Sequence, residues 1–469
     1  MSRVVIAGGG IAGLSTAFEL TRQAAGDIDV TVLERARRAG GNLRTERVDG
    51  YLCEWGPNGF LDNVPETLAL VHSLGLDDRL LPGNERAKRR FIYRHGRLHE
   101  LPGGPVGFAA SGLLSIPGRL RVMGEPFAAR RPEGDETIHA FAARRIGREA
   151  ADVLVDSMVS GVFGGNAREL SLRACFPKMW EMETAHGSLV KAMIAKRRER
   201  GAPSSAPIGA PTGHLTSFAG GVEELASALT RTLGSRVQTG CAVRRVRSRT
   251  RGAAEGWAVD LEDGRTLDAD AVVLAGSASM SATLVDGFDA SLASVLRQIP
   301  TAPMAVVCLG YETARLDTSL DGFGFLVPRG EGIAILGALW DSSIYAGRAP
   351  EGRSLIRVMI GGAHDPSAIT LDDDALVGRA CTDLETTMGL SIEPVFTRVF
   401  RHPAGIPQYT VGHLERLAAI EERLAAHPGL LLAGNSYRGV SINACVAEAG
   451  PLARRVREAV AAAARPVNA

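Results

Sequence analysis

The residues with the plainest chemical capability are the glycines of Gly8-Gly9-Gly10-Ile11-Ala12-Gly13, set between the apolar run Val4-Val5-Ile6-Ala7 and a stretch from Ile11 to Leu20 of helical character. A glycine loop between a strand and a helix turns sharply at Gly8, lets backbone N–H groups approach a diphosphate at Gly10, and packs helix on strand at Gly13. The helix N-terminus then faces the phosphates. The next apolar run, Val30 to Leu33, ends at Glu34. A carboxylate at that point accepts hydrogen bonds from an adenosine ribose and repels a 2′-phosphate, so the pattern reads as a dinucleotide site.

A second glycine loop, Arg38-Ala39-Gly40-Gly41-Asn42-Leu43-Arg44, follows the acid. Its doublet lets more backbone approach a diphosphate that arginine can neutralise, an arrangement suited to FAD, which is longer and more deeply buried than NAD. Taken alone, Arg38 and Arg44 would be ordinary solvated charges. Near the other end, Leu430 to Ala433, then Gly434-Asn435-Ser436-Tyr437-Arg438-Gly439, then Val440-Ser441-Ile442-Asn443 read as strand, glycine-rich loop and helix start. Their N–H groups suit an electron-rich ligand edge. In isolation this is no more than a common strand-to-helix turn.

The elements that must hold these loops are spread along the chain. Its 469 residues exceed what one core supports, so about three domain-sized pieces are expected. Residues 137 to 197 read as mostly helical, 198 to 216 as a Pro- and Gly-rich linker, and strand patterns resume near 237–246, 257–261 and 271–275, with a second β-rich region over about 303–400. With 53 Lys and Arg against 52 Asp and Glu, nothing points to nucleic acid. The cysteines are scattered, none in a C-x-x-C spacing, which suits reduced thiols on the cytoplasmic side and no metal cluster. The longest uncharged run, between Glu100 and Arg119, is broken by Pro102, Pro105 and Pro117. It cannot span a bilayer. Phe108, Leu113, Leu114 and Ile116, flanked by Arg119, Arg121, Arg130 and Arg131, read equally as an interfacial membrane contact over 101–118 or as a buried loop.

These blocks resemble the protoporphyrinogen oxidases of the flavin-containing amine oxidase superfamily over nearly the whole chain. Also carrying the resemblance are Glu54-Trp55-Gly56-Pro57-Asn58-Gly59, Lys88-Arg89-Arg90-Phe91-Ile92-Tyr93, and the segments Gly161 to Ser171, Gly322 to Pro328, Val358 to Gly362 and Gly405 to Tyr409. The resemblance implies an α/β protein in which a Rossmann-like FAD-binding domain (1–85, 214–290 and 400–469) is interleaved with a β-rich substrate domain (291–399). A mostly helical, membrane-associating domain (86–213) completes it.

It further implies non-covalent FAD lined by Gly8, Gly9, Gly10, Ile11, Ala12, Gly13, Glu34, Arg35, Arg38, Gly41, Asn42, Gly56, Pro57, Asn58 and Gly59. Val243 meets the adenine side and Asn435, Val440, Ser441 and Ile442 the isoalloxazine side. Arg90 pairs with a substrate propionate, while Gly161, Phe323, Leu326, Leu339 and Met359 wall a tetrapyrrole. From the residues alone, those apolar positions are strand core and Lys88-Arg89-Arg90 a solvated turn. Ser160 stands where some relatives carry a charge. The implied reaction takes hydride from a methylene bridge of a porphyrinogen to the flavin, with dioxygen as final acceptor. No residue stands out as a general base, and His186 and His402 read as structural. Competing readings are coproporphyrinogen as substrate, an amine or carotenoid oxidation, and a non-catalytic carrier of flavin or porphyrin. The expected partners are a porphyrinogen, dioxygen, the inner face of the cell membrane and a ferrochelatase taking the product, with the chain a monomer or dimer.

Overall fold

Ser2–Ala7 is apolar at every inner position, and both of its faces are covered. In the computed structural model, which describes residues 1–23, 26–102, 107, 111–129, 133–200, 213–251 and 254–463, this strand is the middle of a five-stranded parallel sheet. Ile28–Glu34 and Val237–Thr239 lie to one side, Ala271–Leu274 and Leu430–Leu432 to the other. Val4, Ile6, Val30 and Val32 pack under the helices Ile11–Gln23, Glu223–Leu233 and Ile442–Ala463. Val5, Ala7, Leu33 and Val272 point the other way, toward Val246, Trp257, Ala282 and Leu296. A parallel sheet wrapped on both faces needs such continuous apolar runs. The register pairs Ala7 with Leu33 and with Leu274, so Gly8, Glu34 and Ala275 leave the sheet together at its carboxyl edge, where open α/β sheets bind ligands.

The second sheet has seven strands, in the order Phe396–Pro407, Thr301–Glu312, Arg353–Gly361, Ile335–Leu339, Gly324–Leu326, Phe91–Arg94 and Arg97–Glu100. Alternation sends Val307, Phe325, Ala338 and Val358 toward helix Asp373–Met388. Cys308, Leu355 and Met359 face the other way, toward Tyr51 and Cys53 of the dinucleotide-binding part. The hairpin 91–100 and the strand 396–407 both belong to this sheet, so it takes strands from the expected segments 86–213 and 400–469 as well as from 291–399. The cause is non-local pairing: Phe91 and Ile92 meet Phe325 and Leu326 in parallel, and no local pattern announces a partner so distant in sequence.

The segment expected to be a linker, 198 to 216, runs at its end into a strand, Leu215–Phe218, paired with Phe60–Leu61 and Leu80–Pro82; residues 201–212 lie outside the described residues. Of the two readings of 101–118, Leu113 and Leu114 follow the buried loop: they are core residues packed with Ile92, Ala150 and Val153. The backbone on either side of the pair is satisfied, Leu113 O accepting from Arg94 and Ser115 N–H donating to Glu149, which lets the leucines turn inward. Phe108, Arg130 and Arg131 lie outside the described residues.

Helices between residues 116 and 200 are joined by a buried ion network. Arg145 is fully buried and pairs with Glu125 and, at 3.3 Å, with Glu183, while Ser188 Oγ donates to Glu125 at 2.6 Å. Removing one member strands the others' charge. Glu125→Ala is therefore expected to cost about 3–5 kcal/mol in urea unfolding. A loss below about 1 kcal/mol would show that Glu183 alone neutralises Arg145.

Candidate dinucleotide and substrate site

At the carboxyl edge of the parallel sheet Gly8 adopts φ +122°, a left-handed conformation that only glycine holds without strain. A Cβ on Gly13 would lie 2.0 Å from Gly8 O, whereas a Cβ on Gly10 would meet nothing within 4 Å. The loop thus closes tightly on its own helix and leaves open space in front of Gly10. Both oxygens of Glu34 accept from backbone, Gly9 N–H at 2.9 Å and Ala36 N–H at 2.8 Å, which fixes the carboxylate while leaving lone pairs for ribose hydroxyls. Cys241 N–H donates to Glu34 O at 2.9 Å, bringing Val243 to this same end, beside the exposed Arg35.

The second glycine loop rests on the first: Gly40 N–H donates to Gly9 O at 2.7 Å, and a Cβ on Gly41 would lie 3.1 Å from Gly10 Cα. Arg38 is engaged by Glu223 at 2.8 Å and by Leu43 O at 2.6 Å, and the Arg44 guanidinium lies 3.5 Å over the Trp55 ring. Both arginines are engaged within the loop and its surroundings.

Asn42 O approaches Gly56 to 3.3 Å of its Cβ position, which joins this loop to the turn Gly56-Pro57-Asn58-Gly59. Trp55 Nε1 and Asn58 Nδ2 are buried donors with no acceptor among the described residues. Buried polar groups almost always have partners, so this turn fits a large polar ligand edge. His402 Nε2 lies 2.7 Å from Trp55 O and donates to it as a neutral imidazole whose pKa burial lowers. Arg357 Nη1 donates to Gly56 O at 2.7 Å. Across the site, Tyr409 Oη donates to Asn435 O at 2.5 Å and its ring stacks on His413. Ser441 caps the helix that Ile442 opens, and Val440 packs beside Val159 and Phe163. His402, Arg357 and Tyr409 were not among the residues expected to shape the site. Only Arg357 leaves a local signal, as a lone cation inside the apolar strand Ser354 to Ile360.

The residues expected to wall a substrate come together on one face of the seven-stranded sheet. Leu326 and Met359 both pair with Gly337, Leu339 pairs with Gly324 and with Arg357, and Leu326 pairs with Ile92, two residues after Arg90. Gly337 must lack a side chain, since a Cβ there would lie 2.3 Å from Phe325 O. Leu326, Leu339 and Met359 are each part-exposed between buried neighbours of their own strands, as residues lining a recess are and core residues are not. Gly161 closes on them from helix Asp156–Phe163, its Cβ position 2.7 Å from Leu326 Cδ2. Arg90 is exposed, its guanidinium 5.0 Å from the Phe323 ring centroid, and it has no carboxylate partner among the described residues. Ser160 is occupied by His364, at 2.8 Å.

The model of the flavin-containing amine oxidoreductases matches residues 11–457. The chain belongs to that family. Among its relatives, human protoporphyrinogen oxidase is 37% identical, with 94% of this chain and 96% of that protein aligned. Bacillus subtilis coproporphyrinogen III oxidase is 30% identical, over 94% and 95%. The crystal structure of a provisionally named protoporphyrinogen oxidase from Exiguobacterium sp. 255-15 superposes with a TM-score of 0.83 at 26% identity, over 97% of this chain and 99% of the other. A UDP-galactopyranose mutase, at 14% identity and a TM-score of 0.74, shares the fold.

As a flavin-containing amine oxidoreductase the chain is an FAD-dependent oxidoreductase. The open space at Gly10, the tethered Glu34 and the unpartnered donors at Trp55 and Asn58 fit the two ends of that cofactor.

Proposed function

We propose that this flavoprotein oxidises a porphyrinogen, protoporphyrinogen IX to protoporphyrin IX, in haem biosynthesis, with FAD bound non-covalently and dioxygen as the final acceptor. The observation that carries the reading is the recess itself: an apolar face of Leu326, Leu339 and Met359, a guanidinium over Phe323 with no carboxylate partner among the described residues, and a flavin-side turn facing it. FAD, when bound, supplies the hydride acceptor. The protein's part is orientation. Arg90 on its Phe323 support holds a carboxylate, the apolar walls and the Gly161 backbone flatten the macrocycle, and the dry face keeps water from the reacting methylene. Pyrrole N–H protons leave to water, so no side chain is assigned as base. The relatives named for protoporphyrinogen and coproporphyrinogen leave both as candidates, and the apolar character of the walls Leu326, Leu339 and Met359 favours the substrate with fewer propionates. A comparison of kcat/KM for the two porphyrinogens tests this. A clear preference for coproporphyrinogen would move the assignment to it.

Membrane contact is proposed at a stripe that shares Ile116 with the segment 101–118 suggested by the sequence and extends beyond it. Among the described residues no helix is long and apolar enough to cross a membrane. Ile116, Leu120, Met123 and Phe127 are 67%, 58%, 57% and 92% exposed and follow one another at helical spacing along Ile116–Met123 and the turn after it. Such a stripe suits shallow insertion at an interface. Arg121 does not assist, being bonded to the carbonyls of Arg144 and Arg145. Leu120→Glu with Phe127→Glu is expected to reduce co-flotation with phosphatidylglycerol vesicles at least about tenfold while leaving solubility intact. Equal flotation of wild type and variant would remove this surface from consideration. Delivery of the product to a ferrochelatase stays part of the proposal.

A further inference from the structure

Arg357 does more than complete a strand. Only 3% exposed, it stands on the sheet face of the substrate walls, opposite Leu339 in the register and two residues before Met359. Its Nε lies 3.0 Å from Oδ2 of Asp341, itself 2% exposed, and its Nη1 reaches off the sheet to Gly56 O at 2.7 Å. The same nitrogen is 3.4 Å from Glu54 O. Stability alone does not account for this pair. Replacing a buried ion pair by well-packed apolar groups is often neutral or favourable, so retaining one needs another reason. A guanidinium supplies one, because its planar fork can hold a carboxylate along one edge and a carbonyl with the other at fixed distance and angle. The carbonyl it holds belongs to the turn whose unpartnered donors fit the flavin, and the strand that carries it bears the substrate wall.

We infer that Arg357, oriented by Asp341, is a positioning residue that sets the distance and tilt between the flavin-side turn Gly56–Gly59 and the wall formed by Leu339 and Met359. His402, donating to Trp55 O from strand 396–407, holds the preceding carbonyl and leaves Gly56 to Arg357. The inference rests on the FAD and porphyrinogen reading above.

The test uses the holoenzyme and the variants Arg357→Lys and Asp341→Asn. In both, FAD stays bound, the visible flavin spectrum shifts in shape and position, and flavin reduction at saturating protoporphyrinogen slows by about 100-fold, the usual consequence of misplacing reacting groups by roughly 1 Å. KM changes little. The double variant Arg357→Met with Asp341→Asn removes both charges, so it gives the same readings if a single variant fails to fold with a charge stranded. Wild-type spectra and reduction rates in folded variants, with only a lowered Tm, would overturn the inference and leave Arg357 a structural residue. The spectrum needs no substrate. A wild type whose flavin no porphyrinogen reduces would therefore count against the function proposed above, while the variants' spectra still decide the role of Arg357.

Discussion

Gly10→Asp is expected to give a folded protein that no longer holds FAD. The Cβ position at Gly10 meets no protein atom within 4 Å, so the chain itself tolerates a side chain there. The diphosphate does not. A carboxylate would stand where N–H groups must approach a dianionic group, at a cost of several kcal/mol, or about three orders of magnitude in affinity. Gly13→Ala is the informative contrast, because its Cβ would fall 2.0 Å from Gly8 O and must disturb the loop with or without cofactor. Thermal unfolding of the apoproteins should therefore leave Gly10→Asp near wild type and lower Gly13→Ala. Flavin that co-elutes with Gly10→Asp on gel filtration would mean that the cofactor does not pass in front of this loop.

Met359→Asp should be the most damaging change on the substrate side. Met359 is part-exposed in the recess and shares its sheet face with Leu326 and Leu339. An unpaired carboxylate against a hydrophobic macrocycle costs several kcal/mol, so flavin reduction by protoporphyrinogen at a fixed low substrate concentration is expected to fall by about 1,000-fold with FAD retained. Arg90→Ala should do less. It removes one charge-assisted contact, worth roughly 1.5–3 kcal/mol, and should act through KM and kcat/KM more than through kcat. Lys88 pairs with Glu85 at an exposed turn, so Lys88→Ala should leave the kinetics unchanged. If Arg90→Ala and Lys88→Ala behaved alike, the propionate contact would have to be reassigned, while near-normal reduction in Met359→Asp would place the substrate elsewhere.

The residues that read most clearly from sequence are those whose function is carried by backbone. Gly8, Gly10 and Gly13 are fixed by local geometry within a strand–loop–helix unit, and Glu34 by the strand after it, so spacing along the chain is enough. Arg38 shows the limit of that logic. Its place in the loop was legible, but its partner, Glu223, comes from a helix far along the chain. The face proposed for substrate was suggested only through family resemblance, because Leu326, Leu339 and Met359 have the composition of any buried strand, and their register across Gly337 is a property of the sheet. Arg357, His402 and Tyr409 grip backbone carbonyls of segments remote in sequence, and no pattern of residue types records such a bond. The segment 101–118 stayed open between a buried loop and a membrane contact for a related reason. Hydrophobicity marked Leu113 and Leu114, but the orientation of the helix that follows decides which leucines face water.

The proposed function is decided by mixing the oxidised holoprotein anaerobically with protoporphyrinogen or coproporphyrinogen in a stopped-flow spectrometer, following flavin absorbance and porphyrin fluorescence together. Bleaching of the flavin with at least one porphyrinogen, faster with protoporphyrinogen, followed by return of the oxidised spectrum on admitting dioxygen, is the expected result. Flavin that stays oxidised with both substrates would contradict the proposed function.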